Sequence, residues 1–82
     1  MTKQELLDHI ADTETVTASD VAHEFDVSSF TAGMALLRLT RQGLLSRYLD
    51  SLTGGYWYRL TERGIARLDF LESNPTGDTY GP

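Results

Sequence analysis

The stretch VTASDVAHEFDVSSFTAGMALLRLTRQGLL, residues Val16 to Leu45, decides the fold of this chain. It contains two helix starts, a short turn between them and a stop. Thr17 and Asp20 have the spacing of a capping box, in which each side chain accepts a backbone N–H from the other end of the first helical turn. A helix is therefore predicted from about Ala18 to Phe25. Together with the helix that follows it, this segment predicts a helix-turn-helix.

The second helix of the stretch is predicted over about residues 29–42. Ser28 or Ser29 supplies its N-terminal cap, and Gly43 ends it in a left-handed conformation. Four small or apolar side chains share one arc of this helix and are expected to face the core: Ala32, Ala35, Leu36 and Leu39.

Length and composition restrict the class of protein. With 82 residues the chain makes one small domain, which leaves little room for an enclosed active site. It contains no Cys, which excludes disulfides and Cys-ligated zinc and fits a cytoplasmic protein. Its apolar clusters are too short to span a bilayer, and its first residues lack the apolar core of a secretory signal. We therefore expect a cytoplasmic protein without a membrane span.

No catalytic or metal-binding pattern is present. His9 and His23 lack a second His or Cys at ligand spacing, and Val27 stands where a zinc-protease helix would need its second His. No nucleophile is paired with a base. We expect no enzymatic activity, no metal and no cofactor.

The charges are segregated along the chain, although its net charge is −5. Residues 1–29 contain one Lys and seven carboxylates, whereas residues 30–67 contain six Arg and two carboxylates. A DNA-binding surface needs only its own contact area to be positive. The pattern therefore favours a basic face on an acidic body, with ordinary solvated surface arginines as the alternative.

The flanking segments predict two more helices and a hairpin. Thr2 and Glu5 form a second capping box for a helix over about residues 3–11, which should bury Leu6, Leu7 and Ile10. Thr61 caps a helix over about residues 62–72. Between them, residues 44–50 and 56–60 predict two strands, joined by a tip where Gly54 and Gly55 supply positive φ. Strand alternation places Tyr58 and Leu60 inward, and Trp57 and Arg59 outward. Residues 73–82 lack periodicity and are predicted to be a disordered tail.

This order of elements resembles the winged-helix transcription regulators of the MarR and ArsR type. The motifs that carry the resemblance are Ser-Asp-Val-Ala in residues 19–22, Arg-x-Gly-Leu-Leu in residues 41–45 and Tyr-Arg-Leu-Thr-Glu-Arg-Gly in residues 58–64. The resemblance implies an α+β winged helix-turn-helix domain over residues 1–72, with three helices, a two-stranded β-hairpin wing and a C-terminal helix. It further implies a transcriptional regulator that binds double-stranded DNA, with helix 29–42 in the major groove and wing 45–60 on the backbone or minor groove.

The exposed side of helix 29–42 departs from the usual composition of such regulators. It presents Phe30, Gly33 and Met34, which can touch thymine methyl groups but cannot read guanine. In one interpretation these residues approach the bases while hydroxyl and guanidinium groups hold phosphates. The phosphate-binding set is then Thr17, Ser28, Ser29, Arg38, Arg41, Arg47 and Arg59.

Two other interpretations of this face remain open. Phe30, Met34 and Leu37 form an apolar stripe at helical spacing, which would suit a module that docks on a partner protein or on a second copy. Alternatively, Phe30 is simply buried within the domain.

The last helix predicts a homodimer. On a helical wheel Ile65, Leu68 and Leu71 occupy one arc, suited to the core, while Ala66 and Phe70 lie on nearly the opposite side. We expect Phe70 to meet its symmetry mate or the partner's Leu6 and Leu7 across a two-fold axis. The sequence does not indicate a small-molecule effector.

Overall fold

The computed structural model describes residues 1–73. The elements follow the chain in the order α1 (Lys3–Thr13), α2 (Ala18–Phe25), α3 (Ser29–Arg41), β1 (Leu45–Leu49), β2 (Tyr56–Leu60) and α4 (Glu62–Ser73). This order confirms the α+β winged helix-turn-helix fold predicted from the sequence. The predicted tail overlaps this structure only at Ser73, which is the last residue of α4, and residues 74–82 lie outside the described part of the chain.

Side-chain caps start the first two helices as predicted. Thr2 Oγ1 accepts the Glu5 N–H at 3.0 Å, and the Glu5 carboxylate accepts the Thr2 N–H at 2.8 Å. Thr17 and Asp20 make the same reciprocal pair at 3.1 and 2.9 Å. Each pair satisfies N–H groups that have no partner within the helix, so the positions of both starts follow from local chemistry.

The hairpin is antiparallel and pairs Leu45 with Leu60, and Leu49 with Tyr56. On its other edge, Tyr58 exchanges two backbone hydrogen bonds with Val16, at 3.0 and 2.8 Å. The connection between α1 and α2 thus adds a single antiparallel bridge to the edge of the two-stranded wing. At the tip Gly54 has a φ of +77°, whereas Gly55 does not adopt positive φ, so the prediction for Gly55 was wrong.

One core joins all the elements. The predicted arc of α3 is buried, and Tyr58 and Leu60 pack inward from β2 as expected. In α4 Leu68 and Leu71 are buried, but Ile65, which was predicted to join them, is 52% exposed. It lines a surface groove beside the C-terminal end of α1 instead. A helical wheel gives the direction of this side chain but does not show whether another element covers it.

The end of α3 and the start of α4 meet at a tight junction. Gly43 ends α3 with a φ of +77°, as predicted, and its carbonyl accepts the Thr61 hydroxyl at 2.6 Å. Thr61 Oγ1 in turn caps α4 by accepting the Gly64 N–H at 3.0 Å. Gly64 is buried so closely against Leu44 that a Cβ at this position would overlap the Leu44 carbonyl oxygen. This junction fixes the wing and α4 relative to α3.

Among residues 1–73, no helix combines the length and the hydrophobicity needed to cross a membrane.

Candidate nucleic-acid interface

The outward face of α3 carries an exposed aromatic side chain. Phe30 is 77% exposed and Met34, one turn later, is 40% exposed, while Leu37 is half-buried. The interpretation that buried Phe30 within the domain was therefore wrong. Gly33 lies on the same face, and a Cβ added there would meet no atom within 4 Å. The helix thus presents an apolar, open surface around its first two turns.

Hydroxyl groups surround the start of α3, but they differ in what they can still donate. The Ser28 side chain accepts the Thr31 N–H at 3.0 Å and donates to Thr31 Oγ1 at 2.9 Å. Because each hydroxyl has a single proton and the bond between them uses one, the Ser28–Thr31 pair has one hydroxyl proton left for a phosphate. Ser29 is exposed, and half-buried Thr17 caps α2 as an acceptor. Thr31 was not among the predicted hydroxyls, and its pairing with Ser28 adds it to this group.

Exposed arginines continue the surface of α3 towards its C-terminal end. Arg38 and Arg41 are both exposed in its last turn. The sequence contains no carboxylate between Asp26 and Asp50, so α3 and β1 include no acidic residue. In a chain with twelve carboxylates these two elements thus bring no negative charge of their own towards a polyanion.

The hairpin separates its two arginines. Arg47 pairs with Tyr58 and therefore lies on the same face of the pleat, where its guanidinium carbon is 4.2 Å from the centroid of the Tyr56 ring. Arg59 pairs with Ser46 and lies on the opposite face. The two side chains are thus not adjacent, and a ligand that contacts both must reach both faces of the wing.

The wing tip is held by Asp50. Its carboxylate accepts the Leu52 N–H at 2.9 Å and the Trp57 Nε1–H at 3.0 Å. The hydrogen bond from the Leu52 backbone, followed by that from the Trp57 indole, holds the pKa of Asp50 below its usual value. The indole is thereby fixed beside the N-terminal end of α2, where it shares a groove with Thr17 and Ser19.

Several carboxylates lie together between the first two helices. A groove between α1 and α2 is lined by Glu5, Asp8, Asp12 and Glu24. Hydrogen bonds from the Thr2 backbone and side chain lower the pKa of Glu5, so that it stays ionised there. The described residues contain no group of three or more His, Asp or Glu side chains placed to hold a metal ion. This groove contains four of the seven carboxylates that the sequence places in residues 1–29.

The residues predicted to form the dimer interface are divided by the fold. Leu6 and Leu7 are fully buried in the protomer's own core, so they have no surface to offer a second copy. Ala66 is exposed and Phe70 is 55% exposed, with the Arg67 guanidinium carbon 5.8 Å from the Phe70 ring centroid. Only the α4 half of that interface remains accessible, because α1 uses its apolar face to cover the core.

A scan with protein-family models and a search of curated proteins both find no match to this sequence. Comparison with solved structures finds clear similarity. Apo wild-type MarR from E. coli superimposes with a TM-score of 0.78 at 19% identity, covering 87% of this chain and 53% of that one. YusO from Bacillus subtilis gives 0.81 at 15% identity, with 87% and 51% coverage. A MarR family protein from Bacillus stearothermophilus gives 0.76 at 18% identity, with 87% and 49% coverage.

The chain spans about half the length of each of these proteins. At such low identity the similarity concerns the fold, and the resemblance predicted from the helix-turn-helix and wing motifs is confirmed at that level. The described residues therefore have the winged helix-turn-helix fold of MarR-family proteins.

Proposed function

We propose that this chain is a DNA-binding transcriptional regulator of the prokaryotic winged-helix type, located in the cytoplasm. In this proposal α3 enters the major groove and the hairpin lies on the adjacent backbone or in the minor groove. The observation that carries it is the outward face of α3, where exposed arginines and an open apolar surface occur without any carboxylate. No enzymatic role and no small-molecule effector form part of it.

The alternative function is a protein-interaction module that uses Phe30, Met34 and Leu37. Exposed Phe30 suits that function as well as DNA binding. The charges distinguish the two functions. An apolar docking surface does not require Arg38 and Arg41 beside it, and it does not require a long stretch free of carboxylates. We therefore favour DNA.

The proposed phosphate contacts predict a specific salt response. Four arginines contribute, namely Arg38, Arg41, Arg47 and Arg59. The hydroxyls of Thr17 and Ser29 assist them, together with the one hydroxyl proton that the Ser28–Thr31 pair has left. Four charged contacts would give a slope of log affinity against log salt of about −3.6 per protomer. Fluorescence anisotropy with duplex DNA over a range of salt concentrations measures this slope, and a flat response would rule out the DNA proposal.

The two wing arginines sharpen this test because they lie on opposite faces of the hairpin. A wing that lies in the minor groove has one DNA backbone on each side and would use both. Arg47→Ala and Arg59→Ala should then each flatten the slope by about one unit. If only one variant does so, the wing rests on a single backbone with one face.

We also propose that the protein acts as a homodimer through Ala66 and Phe70 on α4. Two copies of α3 related by a two-fold axis would contact successive major grooves and add the affinity that one small basic surface lacks. Phe70→Glu should give a folded monomer that binds DNA much more weakly, as measured by light scattering and anisotropy. Ile65→Glu is the matched control, because Ile65 is 52% exposed on the same helix but faces a groove beside α1. A parent protein that is monomeric at about 100 μM would contradict the dimer.

A further inference from the structure

We propose that the first two turns of α3 read DNA through the methyl groups of thymine, so that the preferred ligand is A·T-rich duplex approached from the major groove. This inference rests on the proposed function and names the base that the site recognises. It concerns Phe30 and Met34, with Gly33 between them.

The shape of the surface fits small apolar protrusions. Phe30 and Met34 are four residues apart and therefore lie one above the other on the same side of the helix. Both are exposed, and neither belongs to the buried core. Beside them, the open space at Gly33 allows another surface to come close to the helix backbone, because no Cβ stands there. A row of methyl groups can thus contact the two side chains and the backbone between them.

The chemistry of the surface matches only one feature of the major-groove code. Guanine is usually read by Arg or Lys, adenine by Asn or Gln, and cytosine by an acidic side chain. None of these residue types occurs from Ser28 to Leu37. The hydroxyls present are not selective, and that of Ser28 is already committed to Thr31. The thymine methyl is the one distinctive group that an apolar side chain recognises.

Charge identifies DNA rather than an apolar protein surface as the occupant. The floor of an A·T-rich major groove is lined with methyl groups, and its walls are rows of phosphates. The surface of α3 has the complementary arrangement, with the apolar pair near its start and exposed Arg38 and Arg41 in its last turn. No acidic residue lies between Asp26 and Asp50 to oppose the phosphates.

The test compares two alternating duplexes, poly(dA-dT) and poly(dA-dU). They have the same phosphates and the same hydrogen-bonding groups in both grooves, and they differ in the methyl group. Fluorescence anisotropy of the intact protein at several salt concentrations should show weaker binding to poly(dA-dU), by about fourfold for each thymine methyl group that the protein buries. The salt slope should be the same for both duplexes, because the phosphates are held in the same way.

Variants then locate the contact. Phe30→Ala and Met34→Ala should each bring the affinity ratio of the two duplexes closer to one while leaving the salt slope unchanged. Thermal unfolding should be nearly unaffected by Phe30→Ala, since the side chain is 77% exposed. Ile65→Ala is the control, because it removes an exposed apolar side chain from α4. It should leave the ratio as it is in the parent protein.

Three results would overturn the inference. Equal affinity for both duplexes with a steep salt slope would reject methyl recognition while leaving DNA binding intact. A ratio that persists in both Phe30→Ala and Met34→Ala would place the methyl contact elsewhere. Binding that is absent or independent of salt for both duplexes would reject the inference together with the DNA function.

Discussion

Two helical glycines show how differently two regions of this small domain use the same residue. Gly64 lies in the junction between α3 and α4, where a Cβ would overlap the Leu44 carbonyl oxygen and come within 3.0 Å of Leu60 Cδ2. Gly33 lies on the outward face of α3, where a Cβ would meet nothing within 4 Å. A glycine costs helix stability at either position. At Gly64 the cost is offset by close packing within the protomer, whereas at Gly33 nothing within the described protomer offsets it. The open position is therefore the one where an external ligand is expected.

The largest effect is expected from Gly64→Ala. The added methyl collides with backbone, which cannot move without disturbing the hydrogen bond from the Thr61 N–H to the Leu44 carbonyl. We expect a loss of about 3 kcal/mol in the free energy of unfolding, beyond any gain in helix propensity. Urea unfolding followed by the fluorescence of Trp57, the only Trp in the chain, measures it. An unchanged midpoint would mean that the junction can open without cost.

The helix starts were predictable from the sequence because each carries its own chemical signal. Thr2, Thr17, Ser28 and Thr61 all cap helices by accepting an N–H three residues later, and that spacing is visible in the sequence. The alternation of β2 likewise predicted that Tyr58 faces the core. Such features depend on residues close together in the chain.

Features that depend on distant residues were not predictable in this way. The close approach of Gly64 to Leu44 and the exposure of Ile65 depend on how the elements pack. The burial of Leu6 and Leu7 was predicted from the apolar face of α1, but the pattern did not show that it leaves them no surface for a dimer contact. Both wing arginines were predicted as phosphate contacts, but that they lie on opposite faces was not, because it follows from the strand register. The Ser28–Thr31 pair, in contrast, had the Ser-x-x-Thr spacing that would have revealed Thr31.

Gly33→Ala is expected to give a smaller effect of opposite sign. With no atom to collide with, the added methyl should raise the free energy of unfolding by about 1 kcal/mol through helix propensity alone. The same methyl occupies the space through which a ligand approaches the backbone, so affinity for DNA should fall. Measuring both properties on one preparation tests the comparison with Gly64 directly. If stability rises and affinity stays constant, Gly33 has no contact role.

The smallest effect is expected at the wing tip, which is exposed like the face of α3 but hydrogen-bonded like the junction. Asp50 must be ionised to accept fully from Leu52 and Trp57, and these bonds hold its pKa below the ordinary aspartate value of about 3.9. The stabilisation of the wing tip by ionised Asp50 is therefore complete above that value. It is lost only as the pH falls through the lowered pKa of Asp50 in the folded protein. The fluorescence of Trp57 should report this loss as a transition centred below pH about 3.9.

The control for this transition is Asp50→Asn, which removes the titrating group and leaves all other carboxylates in place. Any acid transition that remains in the variant belongs to another carboxylate or to global unfolding, and the difference between the two titrations isolates the wing tip. A midpoint at or above about 3.9 in that difference would mean that Asp50 does not hold the indole in solution. In that case the wing tip, like the outward face of α3, would be a surface without internal contacts that order it. A midpoint below that value would identify the tip as a small ordered element, positioned before any ligand binds.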